Sequence, residues 1–168
     1  QEIPIFITMG KHGAAASKKI FEELLDAKVD RNLKYIFICG RNEELEKELK
    51  QALSNQETPQ ARRFAIYGLL SSEEMNEIMN ICPIGISKAG AASVLETMAT
   101  RGYLLLMDSY PWEKENGIKL VEMGCASHFD PNKSLIDQIE KTIKISENRS
   151  LCEAKFGLLR GWRFNLKS

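Results

Sequence analysis

The chain has 168 residues, 43% hydrophobic and 27% charged, enough apolar mass for one self-sufficient core. Lys plus Arg and Asp plus Glu balance at 23 each, which excludes the global basic field that drives non-specific nucleic-acid binding. The four cysteines (Cys39, Cys82, Cys125, Cys152) stand far apart without a CxxC pair and the chain has only two histidines, so neither a zinc site nor a disulfide framework is suggested and buried, reduced thiols are expected. No apolar run approaches the roughly 20 residues that span a bilayer, and no signal-peptide pattern opens the chain, so a cytoplasmic setting is the expectation. The sequence meets a strand almost directly after Gln1, as expected of a piece cut from a longer protein.

In chain order, Ile3 to Met9 is an apolar run that ends at Gly10 and Gly13, and Ala14 to Ala27 carries Ile20, Phe21, Leu24 and Leu25 on one helical face. Tyr35 to Cys39 reads as a second strand stopped by Gly40. Asn42 then caps a charged helix with Leu45, Leu49 and Leu53 at i, i+4 and i+8. The polar segment Gln51 to Arg63, with Pro59, is expected to be a surface loop. Phe64 to Tyr67 predicts a third strand, Ser72 to Asn80 a short helix capped by Ser71 or Ser72, and Ile84 to Ile86 a fourth strand. Ser93 to Thr100 predicts a helix, Leu104 to Met107 a fifth strand, and Glu113 to Met123 a helix closed by Gly124. Ala126 to Phe129 predicts a sixth strand and Ser134 to Ile145 a helix with Leu135, Ile136, Ile139 and Ile143 inward. Short hydrophobic strands alternating with amphipathic helices predict an α/β fold: a Rossmann-like parallel six-stranded sheet with helices on both faces and ligands at the carboxyl ends of the strands.

Two strand-to-helix junctions carry the chemistry. In Ser87-Lys88-Ala89-Gly90-Ala91-Ala92-Ser93-Val94-Leu95-Glu96 a strand runs through a small-residue turn into a helix start, where free N–H groups and the helix dipole attract an anion. Ser93-x-x-Glu96 also has capping-box spacing, so Glu96 either faces a ligand or bonds back to the helix start. The second junction is Gly10 to Gly13. Near the C-terminus, Ser150 to Ser168 mixes Phe156, Trp162 and Phe164 with Arg160 and Arg163. That composition suits packing on an absent domain, contact with a membrane surface, or a terminal helix on this sheet.

Taken in order, Ile7-Thr8-Met9-Gly10-Lys11-His12-Gly13-Ala14, Ile38-Cys39-Gly40-Arg41-Asn42, Tyr67-Gly68-Leu69-Leu70, Ser87-Lys88-Ala89-Gly90…Glu96 and Glu113…Asn116 resemble the nucleotide-sugar-binding C-terminal half of GT-B glycosyltransferases. The groups it is similar to are the monogalactosyldiacylglycerol synthases, the processive diacylglycerol glucosyltransferases and the lipid-intermediate N-acetylglucosaminyltransferase of peptidoglycan synthesis. The resemblance implies a UDP-sugar donor domain over residues 1–148 and a C-terminal helix or tail over 149–168. It further implies an acceptor domain outside this chain, a lipid or lipid-linked acceptor reached through that domain, and contact with the membrane surface.

Residue by residue, the resemblance implies that Glu96 accepts hydrogen bonds from the ribose hydroxyls and that the N–H groups of Ala91, Ala92 and Ser93, beside Gly90, hold the diphosphate. Gly10 and Gly13 belong to a glycine-rich loop facing that diphosphate. Lys11 either neutralises phosphate charge or is a solvated loop lysine. His12 is a candidate base by residue type alone, and the resemblance places the base of such enzymes in the absent domain, so no catalytic residue is assigned. Leu70 is expected to contact the uracil through its main chain, with Gly40 and Arg41 in the same pocket; packing at a strand end is the alternative. Glu113 and Asn116, three apart on a helix start, are expected to address the sugar hydroxyls, although Pro111 and Trp112 stand where the family has glycine and glutamine. No Asp-x-Asp motif is present and neither a cofactor nor a metal is expected, the UDP-sugar being the substrate. Three functions remain open: the donor half of a lipid-directed hexosyltransferase, a non-catalytic or partner-dependent nucleotide-sugar-binding subunit, and a UDP-sugar epimerase of the same architecture.

Overall fold

A computed structural model describes residues 2–10, 12–90, 96, 102–107 and 110–148. The expected helix over 93–100, apart from Glu96, and the tail over 149–168 lie outside the described residues.

Six strands form one parallel sheet: β1 (Ile3–Thr8), β2 (Leu33–Ile38), β3 (Phe64–Tyr67), β4 (Ile84–Ser87), β5 (Tyr103–Leu106) and β6 (Ala126–His128), in the order β3-β2-β1-β4-β5-β6. Around it lie α1 (Ala14–Asp26), α2 (Glu43–Ser54), α3 (Ser72–Ile81), α4 (Lys114–Glu122) and α5 (Leu135–Glu147). The winding reverses between β1 and β4, so the loops after these neighbouring strands diverge and leave a crevice at their carboxyl ends.

The inner strands are largely apolar because alternate side chains feed two separate cores. One face carries Ile5, Ile7, Tyr35, Phe37, Phe64, Ile84, Ile86 and Leu105 against Phe21 and Leu24 of α1, Leu45 and Leu49 of α2, and Ile139 and Ile143 of α5. The other carries Phe6, Ile36, Leu104, Leu106 and Ala126 against Met79 of α3 and Leu120 of α4. Gly85 belongs to this second face. It is paired in register with Phe6, whose ring fills the space a Cβ would occupy. The turn after β1 also requires a glycine: a side chain on Gly13 would overlap the backbone of Met9, and Gly10 turns with φ +74°.

Most element boundaries fall within one or two residues of the sequence expectation, β2 for instance spanning Leu33–Ile38 rather than Tyr35–Cys39, and two differences add structure where none was expected. Within Gln51 to Arg63, α2 continues to Ser54 because Ala52 and Leu53 pack on the core, and Ala61–Arg63 forms a 3₁₀ turn. This segment is tied down by its polar groups: Gln60 donates to the Leu24 carbonyl at 2.7 Å and the Arg63 guanidinium to the Arg31 carbonyl at 2.6 Å. The helix expected from Glu113 starts one residue later, after a 3₁₀ turn over Pro111–Glu113.

Tyr35 is fully buried in the larger core, and its hydroxyl has no hydrogen-bond partner; burial pushes its pKa up to about 12. A buried, unsatisfied hydroxyl costs on the order of 1–3 kcal/mol, so Tyr35→Phe is expected to leave the protein as stable or about 1 kcal/mol more stable in urea unfolding. A loss of stability would mean that the hydroxyl is satisfied.

Candidate functional site

The carboxyl ends of β1, β2 and β3 open into a cleft of about 820 Å³ lined by Thr8, Gly10, Ile38, Cys39, Gly40, Arg41, Asn42, Glu43, Glu44 and Leu69. Gly40 turns with φ +58° as β2 ends, which swings Arg41 and Asn42 to the cleft wall. The Cys39 N–H donates to the Tyr67 carbonyl at 2.8 Å, locking this turn to the end of β3. Burial, reinforced by the nearby Glu46 carboxylate, raises the Cys39 thiol pKa to about 11, so a neutral thiol faces the cleft.

The helix starts at this edge differ in charge. At α1 the N-cap is Gly13, no side chain caps the first turn, and no acidic residue stands in it. At α2 the Asn42 side chain accepts from the Leu45 N–H at 3.0 Å, and Glu43, Glu44 and Glu46 crowd the first turn. At α3, Ser71 and Glu74 form a capping box with Glu73 beside them. An anion is therefore favoured at α1 and repelled at α2 and α3. The α2 side of the cleft, with its carboxylates and neutral thiol, suits hydroxyl and N–H donors instead.

A second group gathers at the ends of β4 and β5. Asn116, fully buried, donates from Nδ2 to the Ala89 carbonyl at 3.3 Å. Glu113, also buried, accepts from the Tyr110 N–H at 3.1 Å, and its other oxygen lies 3.3 Å from where a Gly90 Cβ would be. The Lys88 ammonium sits 4.6 Å from the centroid of the Tyr110 ring, against which Trp112 stacks at 4.6 Å and His12 packs edge-on at 6.2 Å.

Of the expected site residues, Gly10, Gly40 and Arg41 line the cleft, whereas Gly90, Glu113 and Asn116 form the second group, which His12 touches. Gly13 caps α1 between the two. Leu69 rather than Leu70 lines the cleft, and it is 64% exposed. Glu96 is helical and exposed as a residue, yet neighbouring atoms desolvate its carboxyl enough to raise its pKa. Lys11, Ala91, Ala92 and Ser93 lie outside the described residues. Not singled out from the sequence were Glu43 and Glu44, which look like ordinary first-turn acids, and Tyr110, whose only signal is the Tyr-Pro-Trp spacing after a strand. Among the described residues, no three His, Cys, Asp or Glu side chains gather to hold a metal, and no helix is long and apolar enough to cross a membrane.

The sequence model of the glycosyltransferase family 28 C-terminal domain matches residues 4–154. The chain belongs to this family. The family 28 domain is also similar to solved structures: the spinosyn rhamnosyltransferase SpnG complexed with thymidine diphosphate (TM-score 0.66, 12% identity, 98% of this chain and 43% of that one) and MurG from Acinetobacter baumannii (0.64, 18%, 98% and 49%). A protein from Listeria monocytogenes described as a UDP-N-acetylglucosamine 2-epimerase is similar too (0.63, 10%, 93% and 40%). At such identities the likeness establishes the fold, a GT-B half domain. The chain spans less than half the length of each of these structures. No curated protein sequence matches it significantly.

Proposed function

We propose that this family 28 domain is the donor-binding part of a hexosyltransferase and takes a uridine-diphosphate sugar at the switch point between β1 and β4. One observation carries the reading: at the carboxyl edge of the sheet, the α1 helix start is free of side-chain caps and acids, while the α2 start beside it is capped and acidic. A nucleoside diphosphate has this same polarity, a dianionic end and a hydroxyl-rich neutral end. Its phosphates go to the Gly10–Gly13 turn and the small-residue segment after Gly90, with the N–H groups of Ala91, Ala92 and Ser93 as donors and Lys11 as a point cation. Glu96 takes the ribose hydroxyls, and the base lies toward Gly40, Arg41 and the Leu69-Leu70 pair, read through their main chain. The thymidine diphosphate in SpnG supports a pyrimidine nucleotide in this architecture.

In the reaction so proposed, the bond between the anomeric carbon and the diphosphate oxygen breaks as an acceptor hydroxyl attacks that carbon. Preorganised N–H groups and helix dipoles stabilise the charge developing on the departing diphosphate, and they do so without reorganising during the step. The acceptor, a lipid or lipid-linked hydroxyl, and its general base belong to chain beyond this domain, which spans less than half of its structural relatives.

The test is incubation of the chain with radiolabelled UDP-glucose, UDP-galactose or UDP-N-acetylglucosamine and diacylglycerol vesicles. The chain alone is expected to leave the donor unchanged, because acceptor positioning and proton transfer are worth orders of magnitude in rate. Glycolipid formation would overturn the division of labour between domains, and an epimerised UDP-sugar would replace the transferase reading with the epimerase.

A further inference from the structure

Three loops converge on one aromatic ring at the edge of the crevice. His12 comes from the turn after β1, Lys88 from the end of β4, and Tyr110 from the segment after β5. The Tyr110 ring is held from several sides: Lys88 over it, His12 against its edge, and Trp112 stacked with its plane only 7° away. Its backbone is fixed as well, the N–H donating to Glu113 and the carbonyl accepting from the Glu113 N–H at 2.9 Å. Trp112 thus rests on a rigid support and still keeps 44% of its surface exposed.

The polar side chains beside it point elsewhere. Glu113 is engaged at the Tyr110 N–H and against Gly90, and Asn116 at the Ala89 carbonyl, both in the interior. What this edge offers is a half-exposed indole stacked on Tyr110 and, on the same Tyr110 ring, the Lys88 ammonium. A pyranose joined to a diphosphate is complementary to that pair: ring C–H groups make up much of one face of the sugar and pack on an aromatic surface, while the phosphate charge seeks the cation.

We propose that Trp112 is the platform on which the hexose of the donor lies, so that this domain holds the sugar mainly by stacking. The inference rests on the donor-site reading above. The pre-stacked Tyr110 lowers the entropy lost when the indole is immobilised by the ligand. Lys88, held over the Tyr110 ring that supports the indole, sets which end of the donor approaches it.

Calorimetric titration of the full chain with UDP, UDP-glucose, UDP-galactose and UDP-N-acetylglucosamine tests this, on wild type, Trp112→Ala and Trp112→Phe. Trp112→Ala is expected to bind the UDP-sugars roughly 3- to 10-fold more weakly, the range of one aromatic contact, with UDP itself unchanged, and Trp112→Phe to keep most of the sugar affinity. Equal weakening of UDP and UDP-sugars would make Trp112 a support of the loop and overturn the platform. No change with any ligand, as expected of an acceptor-facing residue, would overturn it too. If wild type binds no UDP, the donor-site reading falls and the platform with it; if wild type binds UDP and only the sugar increment is insensitive to Trp112, the platform alone falls.

Discussion

Glu96→Ala is expected to weaken UDP by about 1–3 kcal/mol, the cost of removing a charged acceptor from hydrogen-bonded hydroxyls, or about 5- to 150-fold in Kd. The melting temperature without ligand should change little. If the variant instead melts lower and binds UDP as well as wild type, the carboxylate caps the helix start rather than reading the ribose. The acid side of the pH profile provides a further check. Desolvation raises the Glu96 pKa above that of an ordinary glutamate, and only the ionised carboxylate accepts both hydroxyl protons. Its contribution is therefore complete above the raised pKa and lost as pH falls through it, at a higher pH than for an unperturbed glutamate. Subtracting the Glu96→Ala profile removes the titration of the UDP phosphate, whose own second pKa lies at about 6.

The largest effect on stability is expected at Phe6. Its ring is 2% exposed and lies over Gly85 on the neighbouring strand, so Phe6→Ala should cost about 3–5 kcal/mol in urea unfolding. Gly85→Ala in the wild-type background should cost about 1–3 kcal/mol, because the new methyl group and the ring compete for one space. In the Phe6→Ala background the same change should be neutral or stabilising, since glycine within a strand is itself about 0.5–1 kcal/mol worse than alanine. Two additive losses, with coupling below about 0.5 kcal/mol, would show that the ring does not depend on the missing side chain.

The frame was legible in the sequence for a physical reason. The inner strands are buried on two faces, β4 and β5 along their whole length, so they appear as apolar runs, and Gly10, Gly40 and Gly124 mark element ends where the backbone turns with positive φ. Helix starts at Asn42, Ser71 and Ser134 were legible because their side chains do accept first-turn N–H groups. What sequence does not encode locally is where a polar side chain spends its hydrogen bonds. Gln60 and Arg63, in a stretch that looks like open loop, reach carbonyls more than 30 residues away in the chain. The spacing of Glu113 and Asn116 puts them on one side of a turn, but it cannot tell a ligand from a backbone partner: Asn116 donates to the Ala89 carbonyl after β4, and Glu113 accepts from the Tyr110 N–H. Leu69 and Leu70 differ by one residue, and which of them lines the cleft is set by the three-dimensional course of the chain after β3, where Gly68 passes so close to the Glu46 carboxylate that a side chain there would overlap it.

The central claim is that the crevice between β1 and β4 binds a uridine nucleotide through groups this domain itself supplies. Calorimetric titration of the chain with UDP, ADP and GDP under one set of conditions tests it most directly. UDP is expected to bind, with ADP and GDP at least about tenfold weaker, a difference of about 1.4 kcal/mol supplied by contacts to the base. Equal affinity for all three nucleotides, or no UDP binding at millimolar concentration, would contradict it.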